Sequence, residues 1–162
     1  MTKLSVNLNK IALLRNSRDS NFPRLLDFAN LCISAGAHGL TIHPRPDQRH
    51  ARFSDVDDLA ELVLRHKNIE LNIEGNPTED FLDIVLQARP TQCTLVPDAP
   101  DQLTSDHGWD VHKHGDRLRK PGQIVSSCIQ NPMLRLMIVI MLNQSLHNLA
   151  ERHGWHRNWV WE

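Results

Sequence analysis

Short apolar stretches recur along the first two-thirds of the chain, each followed by polar residues and then by a segment with helical spacing. In KLSVNLN (residues 3–9), Leu4, Val6 and Leu8 alternate with polar positions, which predicts a strand. GLTIH (39–43), IELNIE (69–74) and QCTLVP (92–97) predict three more strands. Between the second and fourth lie SDVDDLAELVLRH (54–66) and TEDFLDIVLQA (78–88), both predicted helices. The first has Ser54 as its cap with Asp57 three residues on, and an apolar face of Val56, Leu59, Ala60 and Val63. The second has Thr78 as its cap and two acids in its first turn, where the helix dipole favours them. PRLLDFANLCISAG (23–36) predicts an earlier helix: Pro23 suits the first turn, Leu26, Ala29 and Ile33 share a face, and Gly36 suits the stop. The residues between the first strand and Pro23, rich in Arg, Asn and Ser, read as a loop.

Strand–helix–strand alternation with short connections implies right-handed crossovers and a parallel sheet. Two architectures fit, a doubly wound open sheet or part of a (β/α)8 barrel. No G-x-G-x-x-G follows the first strand, which weighs against a dinucleotide-binding sheet. The expected class is α/β, a truncated (β/α)8 barrel of four N-terminal βα units. The pattern changes near Arg119. Beyond Asp116 the only acids are Glu151 and Glu162, and Met133, Met137, Met141, Trp155, Trp159 and Trp161 all fall in this tail. NPMLRLMIVIMLNQSLHNLAERHG (131–154) predicts a helix, apolar nearly all round. The expected organisation is a half-barrel over 1–119 and a divergent tail over 120–162, helical and then irregular.

Composition narrows the function. Eighteen basic against nineteen acidic residues give a formal charge of −1, so no nucleic-acid partner is expected. Ten histidines are scattered without metal-ligand spacing, so no metal site is expected. Cys32, Cys93 and Cys128 sit in apolar settings and read as reduced thiols of a cytoplasmic protein. The N-terminus has no secretory pattern, and LMIVIML (136–142) is too short to span a membrane.

The candidate chemistry lies where the strands end, the place where barrels gather functional groups. The first strand delivers Asn7 and Asn9, then Lys10, Arg15 and Arg18; the second His43, Arg45, Arg49 and His50; the third Glu74; the fourth a loop with Thr104 and Ser105. His43 titrates near neutral pH if untuned, and Glu74 can act as a base if its surroundings raise its basicity. Arg18, Arg45 and Arg49 offer planar forks that match phosphate oxygens. Asn7 and Asn9 can orient a carbonyl or hydroxyl without adding charge. Taken singly, Arg15 and Arg49 read as solvated surface groups, His38 and His66 as structural, and HKHGDRLRK (112–120) as a solvated helix face.

At these residues the chain resembles the pyridoxine 5′-phosphate synthase family. The motifs that carry the resemblance are VNLNKIALLRNSR (6–18), AGAHGLTIHPRPDQRH (35–50), LNIEGNPTEDF (71–81) and CTLVPDAPDQLTSDHGWDV (93–111), over residues 3 to 119. The resemblance implies a (β/α)8 enzyme that condenses 3-amino-2-oxopropyl phosphate with 1-deoxy-D-xylulose 5-phosphate. The products are pyridoxine 5′-phosphate, phosphate and water. By position it implies His43 and Glu74 as proton acceptors. Asn7 and Arg18 would hold the aminoketone phosphate; Asn9, Lys10, Arg45, His50 and Thr104 would hold the deoxyxylulose phosphate. It implies no cofactor, and a homo-octamer built from dimers.

A complete barrel takes ~250 residues. A half-barrel would leave two strand edges unpaired and one sheet face uncovered. The alternative reading is therefore a catalytically inactive, truncated or frameshifted fragment that at most binds a sugar phosphate. A third class, an aldolase or epimerase, would want a Schiff-base lysine or a metal-binding His/Asp set within these strands. Lys10 is the only lysine near a strand end and lies outside the strand itself.

Overall fold

The computed structural model describes residues 3–18, 20–99, 102, 107–127 and 135–138. The strands are β1 (Ser5–Asn7), β2 (Gly39–Ile42), β3 (Glu70–Gly75), β4 (Gln92–Leu95) and β5 (Arg135–Ile138). The helices are α1 (Asn9–Asn16), α2 (Leu25–Ser34), α3 (Phe53–Arg65), α4 (Glu79–Ala88) and α5 (Val111–Ser127). Every neighbouring strand pair is parallel, in the order β1-β2-β3-β4-β5. Sequential order without reversal removes the doubly wound alternative, whose sheet turns back at a switch point. Successive helices pack on one another, α1 on α2, α2 on α3, α3 on α4 and α4 on α5. Right-handed crossovers advancing in one direction put them on one face of the sheet, which is the winding of a (β/α)8 barrel.

The two faces of the sheet differ in chemistry because strand side chains alternate. Leu40, Ile42, Leu71, Ile73, Cys93 and Leu95 are fully buried in one cluster with the helix residues Ala29, Val56, Leu59, Phe81 and Val85. Burying each large aliphatic chain there stabilises the fold by roughly 1.5–3 kcal/mol. The other face carries hydroxyls and an amide. Ser5 Oγ and Thr41 Oγ1 lie 2.9 Å apart, Asn72 Nδ2 donates to Thr41 Oγ1 at 3.4 Å, and Thr94 Oγ1 donates to Asn72 Oδ1 at 2.8 Å. This face was expected to stand uncovered, yet Thr41, Asn72 and Thr94 are buried. Their polar atoms satisfy one another from strand to strand, as buried polar groups must.

Local signals held where they were strong. Thr78 Oγ1 accepts from Phe81 N at 3.3 Å, capping α4, and Gly36 takes a positive φ of 95° just after α2. Trp109 is buried and donates from Nε1 to Leu95 O at 3.2 Å, covering the end of β4. Among the described residues no helix is long and apolar enough to cross a membrane.

Three expectations are corrected. First, residues 9–16 form helix α1, not loop. Its buried positions are Ala12 and Arg15, so no apolar period announces it. Second, α3 starts at Phe53, with Ser54 inside its first turn. The capping carboxylate is Asp55, whose Oδ2 accepts from Arg52 N at 2.7 Å. Third, Arg135–Ile138 is a strand, where a helix over 131–154 was expected. α5 runs across residue 119 to Ser127, and Arg135–Ile138 pairs in register with Gln92–Leu95. A short apolar run reads equally as buried helix or buried strand. The open edge of β4 decided the matter by offering a ladder of unpaired backbone groups. The rest of the expected 131–154 helix lies outside the described residues.

Candidate active site

The hook His43–His50 leaves the end of β2 and is braced by α1 at both ends. At the start of α1, Asn9 Oδ1 accepts from His43 N at 2.8 Å. At its end, Asn16 Nδ2 lies 3.1, 3.0 and 2.6 Å from the carbonyls of Gln48, Arg49 and His50. The brace is itself anchored. Arg15, only 2% exposed, forks onto Asp55 through Nη1–Oδ1 at 2.5 Å and Nη2–Oδ2 at 2.9 Å. The solvated reading of Arg15 is therefore wrong, since the guanidinium is sealed between α1 and α3.

His43, Arg45, Glu74 and Asp98 are all buried at the strand ends. His43 Nδ1 lies 3.9 Å from Asp98 Oδ2, and Arg45 Nη1 lies 3.6 Å from the same oxygen. Burial brings the His43 pKa down to about 4, with the Asp98 charge opposing the shift and the Arg45 charge adding to it. The expectation that it titrates near neutrality is thus corrected; desolvation disfavours its charged form. Burial acts in the opposite sense on Glu74, and with the Asp98 charge it raises that pKa to about 7. At neutral pH the cluster holds a neutral imidazole and a carboxyl group poised between its two states. Burial, then the Arg45 and Arg49 charges, also lowers the pKa of half-buried His50.

Gly75 follows Glu74 as the last residue of β3. A Cβ there would sit 2.3 Å from the Phe81 ring, so the bare backbone is what allows α4 to pack against the strand end. Asn76 Nδ2 then donates to Asp98 O at 2.6 Å, tying the loop after β3 to the loop after β4. A cleft of about 150 Å³ opens beside His43, Arg45, Asn76 and Asp98, walled by Phe53, Phe81 and Ile84.

The remaining sequence candidates are placed unevenly. Asn7 and Lys10 are exposed at the start of α1, and Asn7 Oδ1 accepts from Asn9 N at 2.8 Å. Arg18 is exposed two residues beyond α1. Arg45 is engaged within the chain, donating from Nη2 to Ala99 O at 3.0 Å and to Gln102 O. Arg49 is partly buried and pairs with Asp47 at 2.6 Å. Thr104 and Ser105 lie outside the described residues. Among the described residues no group of three or more His, Cys, Asp or Glu is arranged to hold a metal ion.

Sequence reasoning missed Asp98 and the bracing role of Arg15 and Asn16. Asp98 was within reach, since it follows the fourth strand by the same positional rule that picked His43. Nothing local distinguishes Arg15 from a surface arginine.

A singly wound parallel sheet with buried titratable and guanidinium groups on its strand ends defines a TIM-barrel-like α/β protein. The comparisons make the class particular. The sequence pattern of the family described as "Pyridoxal phosphate biosynthesis protein PdxJ" matches residues 4–151, and the chain belongs to that family. It is 59% identical over 113 residues to the pyridoxine 5′-phosphate synthase of Agrobacterium fabrum, covering 69% of this chain and 45% of the relative. It is 52% identical over 120 residues to that of Christiangramia forsetii, covering 74% and 49%, and 54% identical over 118 residues to that of Porphyromonas gingivalis, covering 73% and 48%. The chain spans about half the length of the curated relatives it matches.

Proposed function

We propose that this chain carries the first-half acid–base site of a pyridoxine 5′-phosphate synthase. It would act in condensing 3-amino-2-oxopropyl phosphate with 1-deoxy-D-xylulose 5-phosphate. The observation that carries this reading is the pairing of two buried bases on neighbouring strand ends, His43 with a pKa of about 4 and Glu74 with one of about 7. Condensing an amine with a ketone needs proton transfers to expel water, and aromatisation needs a base for carbon-bound protons. The neutral imidazole accepts a proton directly; the Glu74 carboxyl, balanced near neutrality, accepts or returns one. Asn7 and Arg18 hold the aminoketone phosphate. Asn9, Lys10, Arg45, His50 and Thr104 hold the sugar phosphate, which requires Arg45 to exchange loop carbonyls for phosphate oxygens. The reading includes no cofactor, a cytoplasmic setting and assembly into a homo-octamer.

The test is release of inorganic phosphate from the two substrates together, with His43→Asn and Glu74→Gln as controls. Each substitution should lower turnover about 10²–10⁴-fold, the usual contribution of a general base. Turnover unaffected by either removes that residue from the mechanism. Saturable binding of a phosphorylated substrate without phosphate release favours the inactive sugar-phosphate-binding alternative.

A further inference from the structure

We propose that Asp98 is the positioning residue of this site: its carboxylate, lodged between His43 and Arg45, keeps the His43 ring protonated at Nδ1 and so leaves Nε2 to accept the substrate's proton. The proposal rests on the reading of His43 as a proton acceptor. Asp98 is 5% exposed, and its place is fixed from both sides. Asn76 Nδ2 donates to its backbone carbonyl at 2.6 Å, and Arg45 Nη2 donates to the next carbonyl, Ala99 O, at 3.0 Å. The backbone of His43 is fixed too, because its N–H donates to Asn9 Oδ1 at 2.8 Å. The gap of 3.9 Å between Nδ1 and Oδ2 is longer than a hydrogen bond. At that range a carboxylate still favours an N–H dipole pointing at it over a lone pair. A partner on one ring nitrogen settles which nitrogen is the base.

The charged and titratable groups around His43 are Asp98, from the loop after β4, and Arg45, Asp47 and His50, from its own hook. Glu74 feels Asp98 as well. In both cases the Asp98 charge raises the pKa, so its removal lowers both. The two shifts move the acid limb of activity in the same direction, toward lower pH.

Nitrogen-15 NMR of the full chain, labelled in histidine, reads the tautomer at pH 7.5 without any need for turnover. His43 should appear as the Nδ1–H form, shift toward Nε2–H in Asp98→Asn, and stay Nδ1–H in Asp98→Glu. A wild-type Nε2–H form overturns the proposal, as does a tautomer unmoved by Asp98→Asn. The wild-type spectrum decides even if Asp98→Asn does not fold. In the phosphate-release assay, Asp98→Asn should lower kcat about 10–100-fold, as loss of an orienting partner does, and move the acid limb to lower pH; an unmoved limb overturns the proposal. Turnover that survives His43→Asn sinks the proton-acceptor reading alone and leaves the tautomer result standing, so the two failures are told apart.

Discussion

Two groups of buried charge lie on either side of the hook, and they are built on different terms. Between α1 and α3, Arg15 and Asp55 match one positive charge to one negative. Two fork contacts join them, and the remaining Arg15 Nε donates to Asn16 Oδ1 at 3.1 Å. At the strand ends the count is uneven. Glu74 and Asp98 are both acids, Arg45 is the buried guanidinium beside them, and burial holds His43 neutral down to about pH 4. Burial, and after it the Asp98 charge, raises the Glu74 pKa to about 7. Complete pairing makes a charge a strut that fixes backbone. Incomplete pairing leaves a proton whose position is nearly balanced, which is what acid–base chemistry requires.

The largest test of this contrast is Arg15→Met. It strands Asp55 in the interior and should lower unfolding free energy by about 3–5 kcal/mol in urea titration. Arg15→Met with Asp55→Leu should recover most of that, since the cost lies in the orphaned charge. A loss below about 1 kcal/mol in the single variant would erase the distinction.

Glu74→Gln should act with the opposite sign. The folded pKa of about 7 exceeds the ordinary 4.5, so the folded chain binds more protons than the unfolded one between these values. The Glu74 contribution therefore falls as pH rises through that window. Glu74→Gln should be the more stable protein at pH 8, by about 2–3 kcal/mol, and the gap should close near pH 4. His43 runs the other way. Its folded pKa of about 4 lies below 6.5, so its contribution is present above 6.5 and lost as pH falls toward 4. In the wild type the two slopes oppose each other; in Glu74→Gln the rise with pH from His43 should stand alone. An equally stable variant at pH 8 would mean that Glu74 is paired as fully as Asp55.

Smaller effects mark the edges of the comparison. Gly75→Ala forces a Cβ against the Phe81 ring at 2.3 Å and should cost about 1–3 kcal/mol. Lys3 and Glu70 lie 2.9 Å apart with the lysine 61% exposed, so Lys3→Ala should change stability by less than about 1 kcal/mol.

Much of the fold could be read from local chemistry. Alternation located β1, short apolar stretches located β2, β3 and β4, Thr78 marked the start of α4, and Gly36 the end of α2, because each signal acts within a few residues. α1 and β5 escaped for different reasons. α1 buries an alanine and a paired arginine where a predictor looks for aliphatic chains. The β5 segment is a short apolar run that either structure accommodates, and its state depended on the neighbouring edge of β4. At the site, His43, Glu74 and Arg45 were legible because strand ends in a parallel sheet share one rim. Their protonation was not, because desolvation depends on what packs around each group.

The sequence alone determined the alternation of strands and helices that makes a parallel sheet, the motifs that mark the family, and which polar residues stand where the strands end. Periodicity, caps and turn residues are properties of neighbours in the chain. Tertiary structure decided how the charges divide. Arg15 found Asp55 across 40 positions, Arg45 closed on the loop after β4, and Asp98 came to lie between Arg45 and His43. Such partnerships depend on distance and burial, and the electrostatic energies that shift a pKa exist only once folding has removed the water between the groups.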